Sequence, residues 1–152
     1  MTGNRLRYIE IGRGAWGAAL LVAPEAVLRA VGAGADHTGV VVARILGARH
    51  LVQSAASGPQ PSPELLAAGV WVDTVHALTA LALAVTDARR TGAGLVDAAI
   101  AATLAVAGIH DLNHAASPPP PPSRERILDR IARAVLAVLP GGRPLLQMAR
   151  PT

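Results

Sequence analysis

Cysteine, lysine and phenylalanine are absent from this 152-residue chain, and aromatic residues make up only 2% of it. Without cysteine there can be no disulfide, no thiolate metal site and no thiol nucleophile. Tyr8, Trp16 and Trp71 are the aromatic residues, so a core has to be assembled from Ala, Leu, Val and Ile. Such a core is low in relief and suits close helix contact. Charge is also scarce, at 16% of residues, where a soluble domain carries about 25%. All fourteen basic residues are Arg, and Ala, Gly and Pro are abundant; we read this as the imprint of a GC-rich genome rather than of a function.

What is present is apolar. Hydrophobic residues form 51% of the chain and the mean hydropathy is +0.39, both shifted toward membrane proteins. The length allows one domain with a core of its own. A formal charge of +4 and a pI near 11.2 raise nucleic acid as a partner, but the distribution of charge excludes it. From Ser123 onward there are six Arg against Glu125 and Asp129, while residues 1–122 hold eight charges of each sign. The basic excess belongs to a tail and the body is balanced, which is not the footprint of a nucleic-acid surface.

No strand-like alternation of useful length occurs, and four apolar segments of helical length follow one another. The first, Arg5 to Ala23, ends at Pro24, which opens a short helix, PEAVLRAVG, closed by the glycine-rich GAGAD. The charged pair Glu10 and Arg13, and the lack of a small-residue cleavage box, set aside a signal peptide. The second runs from Thr38 to Ala56, the third from Glu64 to Thr86 and the fourth from Leu95 to Ala115, with DARRTGAG read as the break before the last. Five prolines, Pro118 to Pro122, then form a polyproline linker. In SRERILDRIARAVLAVLP, Ser123 is placed to cap a basic amphipathic helix. Ile127, Ile131, Val135, Val138 and Leu139 share one face, with Arg126, Asp129, Arg130 and Arg133 on the other. The expected domains are a membrane body over 1–116, the linker over 117–122 and the amphipathic tail over 123–152.

Each apolar run is interrupted by a charge, which a strict spanning rule of about 20 apolar residues would reject. Their shared length of 19 to 23 residues and the short loops between them favour spans. The expected fold is therefore an all-α, four-helix transmembrane bundle with a short interfacial helix and a C-terminal amphipathic helix. Arginine bias puts both termini on the cytoplasmic side of the plasma membrane, with Arg5, Arg7 and the six tail arginines inside against Arg29, Arg89 and Arg90 outside. GRGAWGAALLVAPEAVLRAVG, RILGARHLVQ and VWVDTVHAL together resemble the pattern of an uncharacterised family of small four-span membrane proteins from actinobacteria. The resemblance covers roughly residues 6–110 and implies a fold and a location, and no activity.

The stretch ARILGARHLVQ, residues 43–53, places Arg44, Arg49 and His50 in the middle of an apolar helix. A mid-bilayer charge costs about 3 kcal/mol or more unless it is paired or faces a cavity. At about 1.5 Å per residue, Glu10, Arg13, Arg49 and Asp73 fall at one depth, and Arg44 and His76 one turn above. The expected arrangement pairs Arg49 with Asp73, Glu10 with Arg13 or Arg49, and Arg44 with His76 or a carbonyl. Ala43 and Gly47 would allow the close approach this needs. The layer is either an inter-helix staple or a polar pocket for a small solute or for protons.

Elsewhere the motifs are bland. His110 and His114 in HDLNH have the spacing of a shared metal on a helix, but they are more simply residues at a helix end. The glycine clusters lack the strand and lysine of a phosphate loop, and Ser54 and Ser57 belong to no nucleophile motif. No cofactor or resident metal is expected. Arg126, Arg130 and Arg133 are expected at anionic lipid head groups, with packing against the body or a partner subunit as the alternative for their helix. The functional expectation is a non-enzymatic accessory or structural membrane protein acting through a protein partner or homo-oligomer. The rival is a small-solute or proton transport protein built on Arg44, Arg49, Asp73 and His76.

Overall fold

A computed structural model describes residues 8–57, 61–114 and 123–149. The polyproline segment, and the side chain of Arg126, lie outside the described residues. The described chain is all-α: α1 (Tyr8–Val22), α2 (Pro24–Ala30), α3 (His37–Ser57), α4 (Pro63–Thr86), α5 (Thr91–His114), α6 (Ser123–Val138) and α7 (Gly142–Met148). It divides into two compact units, Met1–Pro59 with Ala77–Ile100, and Gln60–His76 with Ala101–Thr152.

Two helices, α4 and α5, are long and apolar enough to cross a membrane, or three spans exist if the bent pair α1 and α2 is one. This corrects the expectation of four. The helix α1 stops after Val22, and the chain turns by 106° into α2 at Pro24, whose missing N–H is tolerated in a first turn. The helix α3 is long enough at 21 residues, but His37, Arg44, Arg49, His50 and Gln53 dilute its apolar character.

In the first unit, α1 and α3 pack antiparallel, with Glu10 near Ser54 and Gly17 near Gly47. A Cβ built on Gly47 would lie 2.6 Å from the Gly17 carbonyl oxygen and 2.8 Å from the Leu21 nitrogen, so the two backbones touch. Leu20, Leu28, Ala33 and Ala43 form the core beside them. The helix α2 ends in a Schellman motif: Gly32 has φ +72°, Ala33 N–H donates to the Leu28 carbonyl, and Gly32 N–H to that of Arg29. Asp36 then caps α3 by accepting the Gly39 N–H at 2.7 Å. Arg90, in the turn between α4 and α5, reaches both Asp87 at 3.1 Å and Asp36 at 3.4 Å.

The start of α5 corrects a second expectation. Helix begins at Thr91, so Gly92 and Gly94 lie inside it. A Cβ on Gly94 would meet the Ala80 carbonyl oxygen at 2.8 Å and the Ala84 Cβ at 2.9 Å. Gly94 thus serves close packing against α4 and Gly92 close packing against the Val31 carbonyl at the end of α2, while Thr91 Oγ1 donates to the Ala84 carbonyl to lock the turn.

In the second unit, α6 runs beside the first half of α4 in the same direction. Ser62 pairs with Asp129, Arg133 lies 3.9 Å from Glu64, and the Trp71 indole N–H donates to the Pro140 carbonyl at 2.8 Å. Ala67, Leu112, Leu136 and Ala149 form the core there. The chain reverses at Gly141, φ +75°, and returns as α7.

The distribution of side chains is inverted relative to a soluble bundle. The buried stripe of α3 is Gly39, Ala43, Gly47 and His50, while Val41, Val42, Ile45 and Val52 are exposed. On α4, Ala67, Val70, Asp73, Ala80 and Ala84 are buried and Leu78, Leu81, Leu83 and Val85 are exposed. Small and ionisable groups face inward and branched aliphatics outward, the arrangement that apolar surroundings favour.

Candidate functional site

The spacing 39, 43, 47, 50 places four α3 residues on one stripe, because a helix turns about 100° per residue. His50 ends that stripe with 0% exposure, against α1, where a Cβ on Gly17 would meet the His50 Cβ at 2.9 Å. Arg13, on the facing side of α1, is 5% exposed and its Nε stands 3.3 Å from a Glu10 carboxylate oxygen. Ser54 Oγ donates to the Glu10 carbonyl at 2.9 Å, tying the end of α3 to the start of α1. From α5, Asp97 brings a carboxylate oxygen within 4.8 Å of a His50 ring nitrogen.

The first unit thus holds an enclosed set of ionisable groups: Glu10, Arg13, His50 and Asp97, with Arg49 half-buried on α3. An imidazole and a carboxylate are both ligand types that a divalent cation accepts.

Sequence reasoning paired Glu10 with Arg13 or with Arg49, and the structure shows the pair with Arg13. Arg44 is a correction. It is exposed, about 100° round the helix from Ala43, on the flank of the face that carries Val41 and Ile45, and it does not join the buried layer. Depth along the axis says nothing about rotation, and rotation about the axis takes it outside. Arg49 belongs to the first unit; Asp73, with 0% exposure, and the half-buried His76 belong to the second. His50 and Asp97 were not singled out as a pair. The signal for His50 was present, since it continues the small-residue stripe at the eleventh position from Gly39.

At the end of α5, His110 and His114 are exposed, with rings stacked at 4.3 Å. His114 donates Nδ1–H to the His110 carbonyl at 2.7 Å, which is the geometry of a helix end. In the tail, Asp129 is buried rather than displayed with the arginines, and it accepts from the Ser62 hydroxyl. Arg130 and Arg133 are exposed, with Arg133 3.9 Å from Glu64.

Comparison with protein-family models, curated proteins and solved structures finds no match.

Proposed function

We propose that this chain is a small integral membrane protein that acts without catalysing a reaction, as an accessory or structural component working through a partner or through self-assembly. The observation that carries this reading is enclosure. Arg13, His50 and Asp73 are 5%, 0% and 0% exposed, the state of groups that hold helices together rather than greet a solute. Buried ion pairs contribute uncertain net stability but fix which helix faces meet. The arginine bias supports an orientation in the plasma membrane with both termini cytoplasmic, since six Arg follow α5 whereas Arg89 and Arg90 occupy the turn between α4 and α5.

The rival reading, a proton or small-solute transporter with an intramembrane Arg, Asp and His site, is favoured by the His50 and Asp97 spacing alone. Reconstitution separates the two. Proteoliposomes carrying an internal pH dye are expected to leak protons no faster than empty ones under an imposed gradient. A flux abolished by His50→Ala or His76→Ala would replace the accessory reading with the transport one.

A further inference from the structure

The amphipathic tail helix docks by a face that its sequence pattern does not advertise. Asp129, Ala132 and Leu136 are buried, at spacings of three and four, while Ile127, Ile131, Val135 and Val138 remain between 44% and 81% exposed. At about 100° per residue the two stripes are centred about 140° apart. The anchoring is polar and small: the Ser62 hydroxyl donates to Asp129, Leu136 lies with Ala67 in the core, and Pro140 receives the Trp71 indole N–H. Docking therefore leaves the aliphatic stripe unused and directs it outward.

Three features of this stripe identify what covers it. From Ile127 to Val138 it rises eleven steps, about 16 Å, close to half of the roughly 30 Å hydrocarbon core. It stands alongside α4, a candidate span, in the same direction, instead of crossing its end. Its charge is graded: Arg130 and Arg133 flank its first half, and no charged residue occurs from Ala134 to Gly142. Arg143, just past the turn, is exposed. In sequence the tail carries six Arg against two acids, of which Asp129 is committed to Ser62, and of its arginines Arg133 also lies 3.9 Å from Glu64. That outward charge complements an anionic lipid surface.

We propose that α6 is a lipid-contacting arm of the second unit, with Ile127, Ile131, Val135 and Val138 among the acyl chains of an anionic leaflet and Arg130 and Arg133 at its phosphates. The inference rests on the membrane reading above and adds the upright placement and the lipid class. It differs from a helix lying flat on the surface, because Val138 then sits deeper than Ile127.

The absence of cysteine allows single-site labels in the full-length protein. Val138→Cys, Ile127→Cys, Leu81→Cys and Ala88→Cys variants would each carry an environment-sensitive fluorophore in phosphatidylglycerol–phosphatidylcholine nanodiscs. They would be challenged with aqueous iodide and with lipids bearing a nitroxide at shallow or deep positions. The expected result is that labels at 138 and 81 are quenched by the deep nitroxide, that at 127 by the shallow one, and that at 88 by iodide. A label at 138 that follows 88 while 81 stays lipid-quenched overturns the arm and leaves the membrane reading standing. Iodide quenching at 81 as well overturns both. Protection of 138 from iodide and nitroxides alike assigns the stripe to a second protein chain and also overturns the proposal. Arg130→Gln with Arg133→Gln is expected to lower retention of phosphatidylglycerol about fivefold per arginine, and unchanged retention overturns the head-group assignment.

Discussion

Ser62 accepts the Leu65 N–H at 3.2 Å and donates its own proton to Asp129, so one hydroxyl both caps α4 and anchors α6. The carboxylate also sits at the positive end of the α4 dipole. Asp129→Ala is expected to weaken docking by about 1.5–3 kcal/mol, the range for hydrogen bonds to a charged group. Tryptic cleavage after Arg130 or Arg133 in detergent-solubilised protein should accelerate accordingly, and an unchanged digestion rate would remove the anchor. Glu10 and Arg13 make the same point in the first unit. Arg13→Met leaves a carboxylate in a site of low exposure, and we expect a loss of about 3 kcal/mol. Adding Glu10→Gln should recover part of that loss, and strictly additive losses in thermal unfolding would show that the pair is not coupled. At this scale the sequence was partly legible. Glu10 and Arg13, one helical turn apart, could be paired by eye, whereas the role of Asp129 was hidden because it sits among arginines that point elsewhere.

The helices themselves were legible in length, because prolines at 24 and 63 and the apolar runs between mark their ends. Which way each helix faces was not. Rotation decides the exposure of Arg44, the burial of His50 and the outward stripe of α6; α3 lacks a strong apolar side from which rotation could be read, and the apolar side of α6 is the one turned outward. Small residues are the better guide. Gly47→Ala places a methyl against the Gly17 carbonyl oxygen and Leu21 nitrogen, backbone atoms that cannot swing aside. The α1–α3 crossing must then open, at an expected cost of about 1–3 kcal/mol. Gly12, on the same helix α1, has nothing within 4 Å of its would-be Cβ. Gly12→Ala should be neutral or stabilising by about 0.5–1 kcal/mol, since helical glycine is entropically unfavourable. Equal melting temperatures for the two variants would contradict the close crossing. Gly92 and Gly94 were misread as a loop for the same reason, since a glycine that permits helix contact looks in sequence like one that breaks a helix.

Across the whole molecule, side-chain size and polarity are sorted in the sense opposite to that of a water-soluble bundle. Exposed Leu78, Leu81, Leu83 and Val85 on α4, with Leu95, Val96, Val106 and Ile109 on α5, would be an aggregation hazard in water. The protein is therefore expected to fractionate with membranes and to need detergent for a monodisperse elution profile. Recovery from the soluble fraction without detergent would contradict the membrane reading throughout. The all-α class and the apolar character were readable from composition and segment length. The number of spans was not, because equal lengths masked a difference: α3 spends its interior positions on Arg49, His50 and Gln53, and α1 turns away at Pro24.

One consequence follows from the bond between the Trp71 indole and the Pro140 carbonyl. The chain has only two tryptophans, so Trp16→Phe would leave a single tryptophan, excitable apart from Tyr8, seated at the tip of the α6–α7 hairpin. Its emission maximum and lifetime would then follow, without any attached dye, whether the hairpin is latched or released as lipid composition or a binding partner changes.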